Sequence, residues 1–121
     1  MTSSLTREQL LGLPKTRREK VAIDGLGDVW LRSLSHFQRS QRMSSFFDGR
    51  GNPIPEKQDR QSHYRIVDQV TDEEGNPLFT DADVEAMGEI EAGGALDDLL
   101  AAITAFNVAG EPKKNGQPSD S

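Results

Sequence analysis

The sequence predicts a small α+β domain in which an N-terminal β-hairpin is followed by three or four helices packed on it. Three observations predict this fold class: apolar alternation around a glycine-rich connection near residue 25, a Ser-x-x-Gln helix start, and a long apolar stripe close to the C-terminus. A chain of 121 residues normally forms one domain, and no internal repeat is visible. We therefore expect a single core shared by all these elements.

The hairpin is predicted within "VAIDGLGDVWLRSL", residues 21–34. Val21 and Ile23 stand at alternate positions before the connection "DGLGD", and Val29 and Leu31 do so after it. Trp30 falls on the other face of the second strand. We expect its large ring to cover something on that face.

Four helices are predicted after the hairpin. The first, "HFQRSQRMSSFF", begins after Ser35, where Gln38 has the capping-box spacing, and the second runs from about residue 62 to 72. The third is "TDADVEAM" and the fourth is "ALDDLLAAITAF". The fourth is the clearest, because its apolar residues recur on one face: Leu96, Leu99, Leu100, Ile103 and Phe106.

The predicted organisation has three parts. Residues 1–14 form an N-terminal arm with a short helical turn ended by Pro14, residues 15–109 form the domain, and residues 110–121 form a disordered tail. Inside the domain, the polar stretch 48–61 contains two prolines and two glycines and is predicted to be a mobile loop.

Composition excludes several classes of protein. The chain has no cysteine, so disulfides and thiolate metal sites are excluded. Its longest apolar run, from Leu99 to Ile103, is far shorter than the roughly 18 residues of a membrane span. The N-terminus lacks the features of a signal peptide. These observations predict a cytoplasmic protein without membrane contact.

The acidic segment "TDEEGNPLFTDADVEAM", residues 71–87, has three interpretations: a calcium loop, a catalytic carboxylate cluster or a corner between helices. An EF-hand requires glycine at position 6, but counting from Asp81 places Ala86 there, and placing Gly75 there makes position 1 Val70. General acid–base catalysis requires pKa tuning by burial, and these acids lie in the most polar part of the chain. The sequence therefore favours a corner, with Thr80 capping the next helix.

Signatures of other active sites are missing from the sequence. His36 and His63 have no partner at zinc-ligand spacing, and neither a G-x-S-x-G turn nor a phosphate-binding glycine loop is present. A Ser/His/Asp triad stays an alternative, because the chain contains residues of all three types. The prediction is a protein that is not an enzyme and has no catalytic residues, no metal and no cofactor.

The charge is unevenly distributed along the chain. Residues 1–65 carry 12 Lys/Arg and 7 Asp/Glu, whereas residues 66–121 carry 2 and 13. A basic half can bind nucleic acid, but the arginines are scattered and aromatic residues do not interleave with them. We therefore expect oppositely charged faces that complement each other or a second copy of the chain. We do not expect a nucleic-acid-binding site.

The order of these elements resembles the tail assembly chaperones of long, non-contractile-tailed phages, over about residues 15–108. The resemblance is carried by "DVWLRSLS" passing into "HFQRSQRM", by "VTDEEGNPLFTDADVEAMGE" and by the closing "ALDDLLAAITAFN". The middle segment is the most specific of the three. Its matching positions are Gly75, Leu78, Phe79, Thr80, Asp81 and Asp83.

The resemblance implies a small protein of the host cytoplasm, made during phage or prophage expression and absent from the finished virion. Its relatives coat the tape-measure protein, keep it soluble, recruit tail-tube subunits and often self-associate. Many also have a longer form made by ribosomal frameshifting, and codons for Lys113-Lys114-Asn115 can form a slippery heptamer. Two alternatives remain: a structural tail connector or terminator, and a small nucleic-acid-binding regulator.

A chaperone for an amphipathic helical client needs apolar surface that it can share. Phe46 and Phe47 are adjacent at the end of the predicted first helix, where one core does not easily bury both rings. We therefore predict partner binding by one of these rings or by Trp30. For each of the three residues taken singly, packing in the core is the alternative.

Overall fold

A computed structural model, which describes residues 4–109, contains a three-stranded antiparallel sheet in the order β1-β2-β3 and six α-helices. The predicted α+β class with an N-terminal hairpin is confirmed. The elements are, in chain order, α1 (Arg7–Leu11), β1 (Arg18–Ile23), β2 (Gly27–Arg32), α2 (His36–Ser44), α3 (Pro55–Gln58), α4 (Gln61–Gln69), β3 (Val70–Thr71), a 3₁₀ helix (Asp81–Asp83), α5 (Val84–Met87) and α6 (Ala95–Ala109). The tail beyond residue 109 and the proposed slippery codons lie outside the described residues.

The hairpin register separates two sheet faces. Val21 pairs with Val29 and Lys20 with Trp30, so alternation places Ile23 and Leu31 on one face and Trp30 on the other. Leu31 is completely buried and Ile23 is nearly so, which identifies the first face as the core face. The connection turns through Gly25 at φ +88°, a left-handed conformation that glycine adopts without strain.

A two-residue third strand replaces the predicted end of the second helix. α4 ends at Gln69, and Val70 and Thr71 pair with Leu31 and Trp30 of β2. The predicted helix to residue 72 is therefore wrong for its last three residues. The sheet satisfies the backbone of these β-branched residues, and their side chains are buried on either side of it.

The core lies between the sheet, α4, α5 and α6. The stripe predicted on the fourth helix is confirmed, because the three deepest residues of α6 are no more than 5% exposed. The third predicted helix is instead two short pieces, the 3₁₀ helix and α5. The buried apolar residues are Ile23, Leu31, Phe46, Tyr64, Ile66, Val67, Val70, Val84, Met87, Leu99, Ile103 and Phe106.

The predicted mobile loop 48–61 has regular structure. It contains a tight turn at residues 48–53 and helix α3, which begins with a proline in its first turn. Between them, the Ile54 N–H returns to the domain and donates to the Phe46 carbonyl at 2.9 Å. The prediction of an unstructured loop is wrong, since backbone hydrogen bonds at both ends fix this stretch.

Two copies of the same turn occur, at "DGRGNP" (residues 48–53) and "DEEGNP" (residues 72–77). In each, the Asp N–H donates to the Asn carbonyl at 2.8 Å, and the Asp carboxylate accepts the Asn N–H. The glycine of each turn has a positive φ, +84° and +96°. This geometry fits a three-residue hairpin loop closed by a left-handed glycine. The repeated six-residue pattern is too short to appear as a sequence repeat.

Candidate partner-binding surfaces

The acidic corner is held together by its own carboxylates. Asp72 closes the second D-x-x-G-N-P turn, and Asp83 accepts the Thr80 N–H at 2.8 Å at the start of the 3₁₀ helix. Thr80 precedes that helix as predicted. Gly75, at φ +96°, faces the Arg18 guanidinium, which donates to the carbonyls of Asp72 and Glu73. These acids therefore have structural partners within the corner itself.

Backbone donors lower the pKa of the turn carboxylates. The pKa of Asp72 lies below its ordinary value, chiefly because the Asn76 N–H donates to the carboxylate. The pKa of Asp48 is lowered in the same way, first by the Asn52 N–H and then by the Arg50 N–H. Asp48 is exposed and Asp72 is partly exposed, and the lowered pKa of each reflects hydrogen bonds within its turn.

We expect both carboxyl groups to titrate below 3.8, the value for an unperturbed aspartate. Because the folded pKa is the lower one, each turn is stabilised above pH 3.8 and loses this stabilisation as the pH falls through its folded pKa. Carboxyl ¹³C NMR titration measures both values. The same titration in urea provides the control, since unfolding should return both to the ordinary value. A folded-state value at or above the urea value would contradict the prediction.

Arg42 connects α2 to the rest of the domain. Its guanidinium binds the Asp68 carboxylate of α4 through two bonds of 2.8 Å, and it contacts Asp81 of the corner at 2.9 Å. It also stacks over the Tyr64 ring, 4.5 Å from the centroid. The pKa of Arg42 is raised above its ordinary value, chiefly by the hydrogen bond to Asp68. The motif residue Asp81 therefore helps to position α2.

The apolar residues of α2 face outward. No residue of α2 is buried, although amphipathic helices usually bury their apolar stripe against the core. Phe37 is 85% exposed and Met43 is 53% exposed. Phe47, in the turn after α2, adds a further exposed ring. Phe37 and Met43 are six residues apart, which places them about 120° apart around the helix, on the two flanks of its outward surface. We call these three exposed side chains the α2 face. Phe37 and Met43 were not predicted as partner residues from the sequence, where the interrupted apolar stripe of the helix is the signal for them.

The structure divides the three predicted partner residues. Phe46 is wrong as a partner residue, because its ring is 4% exposed and packs against Tyr64 with centroids 5.5 Å apart. α2 ends at Ser44, so the two phenylalanines follow in a turn that directs their rings apart. Phe47 remains exposed. Trp30 is partly buried, and Arg18 stacks on it at 4.7 Å.

A second surface lies on the other side of the corner. An open groove of about 500 Å³ runs between β2 and the segment after the second turn. Leu26, Trp30 and Leu78 line it, and the motif residues Leu78 and Phe79 differ in burial. Phe79 packs against the core, whereas Leu78 is 54% exposed. We call this surface the Trp30 groove.

Two further features are absent from residues 4–109: metal-ligand clusters and membrane-spanning helices. No three His, Asp or Glu side chains there come together in a way that could hold a metal ion. No helix in this range combines the length and apolar content needed to cross a bilayer.

Comparison of the chain with protein-family models, with curated proteins and with solved structures finds no match. The resemblance to tail assembly chaperones therefore stays a prediction from the sequence motifs, and the exposed apolar surfaces are the structural features on which a function can be argued.

Proposed function

We propose that this chain is a phage tail assembly chaperone, a non-enzymatic cytoplasmic protein that binds and solubilises the tape-measure protein and helps to recruit tail-tube subunits. The observation that carries the proposal is the α2 face. A helix that exposes its large apolar residues and buries none is a surface that a partner can cover. An amphipathic client helix has the matching apolar stripe.

The chemistry of α2 defines the client further. The helix "HFQRSQRMS" contains two arginines and no acid. Arg42 is used internally, which leaves Arg39 exposed beside the α2 face. A client helix with an apolar stripe and flanking acidic residues therefore fits this surface best.

The Arg42 contacts give the α2 face a fixed position. Arg42 holds α2 against Asp68 and Asp81, so the apolar side chains are presented on a helix that is attached from behind by charged groups. A preorganised face loses less conformational entropy when a client binds. This arrangement gives the acidic corner of the family motif a role in client binding without direct contact.

Replacing Phe37 and Met43 together with serine is expected to abolish most client solubilisation while leaving the fold intact. Both side chains are largely exposed, so their loss removes contact area for the client but little core packing. The measurement is the soluble fraction of the tape-measure protein encoded beside this gene, co-expressed with each variant. We expect a decrease of at least about fivefold, the size expected when an apolar contact worth about 1 kcal/mol is lost.

Ile90→Ser provides the matched control, because Ile90 is also 53% exposed but lies outside the α2 face. Equal client solubility with the double variant and the unmodified chain would contradict the proposal. Finding the chain at structural stoichiometry in purified virions would favour the tail connector or terminator instead. Salt-dependent retention on DNA would favour the nucleic-acid regulator.

A further inference from the structure

A small polar pocket lies beside α2, where this helix meets α4 and the end of β2. The cavity has a volume of about 290 Å³. It is lined by one apolar and five polar side chains: Leu34, Arg32, Gln38, Gln41, Arg42 and Asp68. We call it the Arg32 pocket. Walls this polar suit an occupant that is charged or forms hydrogen bonds, whereas the α2 face suits an apolar one.

One arginine of the pocket has no acid partner within residues 4–109. Arg42 and Asp68 neutralise each other through two bonds of 2.8 Å. Asp81, the second acid on Arg42, is 62% exposed and lies outside the lining, so solvent screens its charge. Arg32 is partly buried, and its Nε donates to the Asp68 backbone carbonyl at 2.7 Å. The two terminal nitrogens of Arg32 therefore keep their N–H donors and one uncompensated positive charge.

Glutamine amides of α2 add further donors to the pocket. The Gln38 Oε1 accepts the Ser35 N–H at 2.9 Å in the capping box, so this amide has a fixed orientation and its Nε2 is left to donate. Gln41 is exposed, and its amide can turn toward an occupant. Donors that are already held in place lose little conformational entropy when a ligand binds.

A carboxylate is the ligand that this donor set fits. Its two oxygens accept a pair of parallel bonds from a guanidinium, and its single charge balances the single uncompensated charge of Arg32. A doubly charged phosphate fits less well, because the Asp68 carboxylate lies in the same lining and repels the second charge. The chemistry of the pocket therefore favours an aspartate or glutamate side chain over a phosphate group.

The pocket borders the Phe37 flank of the α2 face. Gln41 follows Phe37 by four residues, so these two side chains are neighbours one turn apart on the helix. A client helix that covers Phe37 therefore brings its own side chains within reach of the pocket. On such a helix, an acid three or four residues from the apolar contact lies on the same face, with the two Cβ atoms about 5–6 Å apart.

We propose that the Arg32 pocket binds an aspartate or glutamate side chain of the client helix, one turn from the apolar residue that covers Phe37. This proposal rests on the client role of the α2 face. Arg32 donates the paired bonds to the carboxylate, and the Gln38 amide donates a third. The pocket sets the register of the client helix on α2, because a charged contact is directional and apolar contacts are not.

NMR titration of the full-length chain tests the pocket without the client. The probe is N-acetylaspartate N-methylamide at millimolar concentration, and the arginine Nε–H signals report binding. We expect a saturable shift at Arg32 and none at Arg39, which is exposed outside the lining. The neutral asparagine analogue is the control. Equal shifts at the two arginines, equal shifts with the neutral analogue, or tighter binding of inorganic phosphate would each overturn the proposal.

Charge substitution at Gln41 tests the pocket with the client. Gln41→Glu places a carboxylate of the chain itself at the pocket, and co-expressed client solubility should fall at least about fivefold because like charges repel. Gln41→Lys should retain client solubility, since it adds a cation there. Gln61→Glu is the matched control, the same change at an exposed glutamine outside the lining. Equal losses with Gln41→Glu and Gln41→Lys, or with Gln41→Glu and Gln61→Glu, would overturn the proposal.

The two proposals fail separately. If Gln41→Glu leaves client solubility unchanged while the serine variant of Phe37 and Met43 abolishes it, the carboxylate pocket is wrong and the client role of the α2 face stands. If that serine variant leaves client solubility unchanged, the client role is wrong, and the pocket proposal that rests on it is wrong as well.

Discussion

Replacing Ile103 with alanine is expected to lower the free energy of unfolding by about 2–5 kcal/mol, the range for large-to-small changes in a packed core. Ile103 is completely buried in α6, in the cluster that joins this helix to α4 and the sheet. The substitution removes apolar contacts and leaves a cavity that a small core cannot readily close. Since domains of this size are stable by about 5–15 kcal/mol, this loss is a large fraction of the total stability.

Urea unfolding followed by circular dichroism measures this loss. Ile90→Ala is the matched control, because the same atoms are removed from a side chain that is 53% exposed. Its unfolding midpoint should change little. Equal midpoints for the two variants would contradict the assigned core.

Replacing Arg42 with methionine is expected to cost about 1–3 kcal/mol, between the values for exposed and for buried ion pairs, because this pair is partly buried. The Arg42 and Asp68 side chains are only 19% and 18% exposed, so Asp68 would keep a poorly hydrated charge without a cation. Asp81 is 62% exposed, and its share of the loss should be small. The loss of stacking on Tyr64 adds to the effect.

A double-mutant cycle with Asp68→Asn separates these contributions. The neutral amide in the double variant carries no charge to leave unpaired, so Arg42→Met should cost less in that background. Arg39→Met on the same helix serves as the control, because Arg39 is exposed. Additive losses in the cycle would contradict a direct coupling between Arg42 and Asp68.

Arg42→Lys refines the same prediction. Lysine retains the charge but cannot form the two parallel bonds that the guanidinium makes to Asp68. We expect an intermediate loss of stability and, if α2 carries the client, an intermediate loss of client solubility. This outcome would connect the position of α2 to the proposed function.

Local features were predictable from the sequence because their causes lie within a few residues. The capping box of Ser35 and Gln38, the glycine-closed hairpin and the apolar stripe of α6 depend on short-range hydrogen bonds or on helical periodicity. The corner after Asp72 was predictable for the same reason, since its turn is built from residues at fixed offsets. These features established the α+β class and the order of its elements.

The remaining features depend on contacts between distant residues. Val70 and Thr71 have a strand conformation because β2 offers them an edge, although helical spacing continues through Val70. Phe46 and Phe47 are chemically identical neighbours, and contacts with distant residues such as Tyr64 place Phe46 in the core. Arg42 likewise pairs with Asp68 and Asp81, two of the many acids of the chain, because the fold brings these two next to it.

The sequence alone determined which segments form helices, strands and turns, because these follow from neighbouring residues along the chain. Only the tertiary structure decided which apolar side chains remain exposed to solvent outside the core. Exposure depends on how much core surface the other elements leave available, and no local pattern records that quantity. The exposure of the α2 residues and the Trp30 groove are therefore established only by the packed structure.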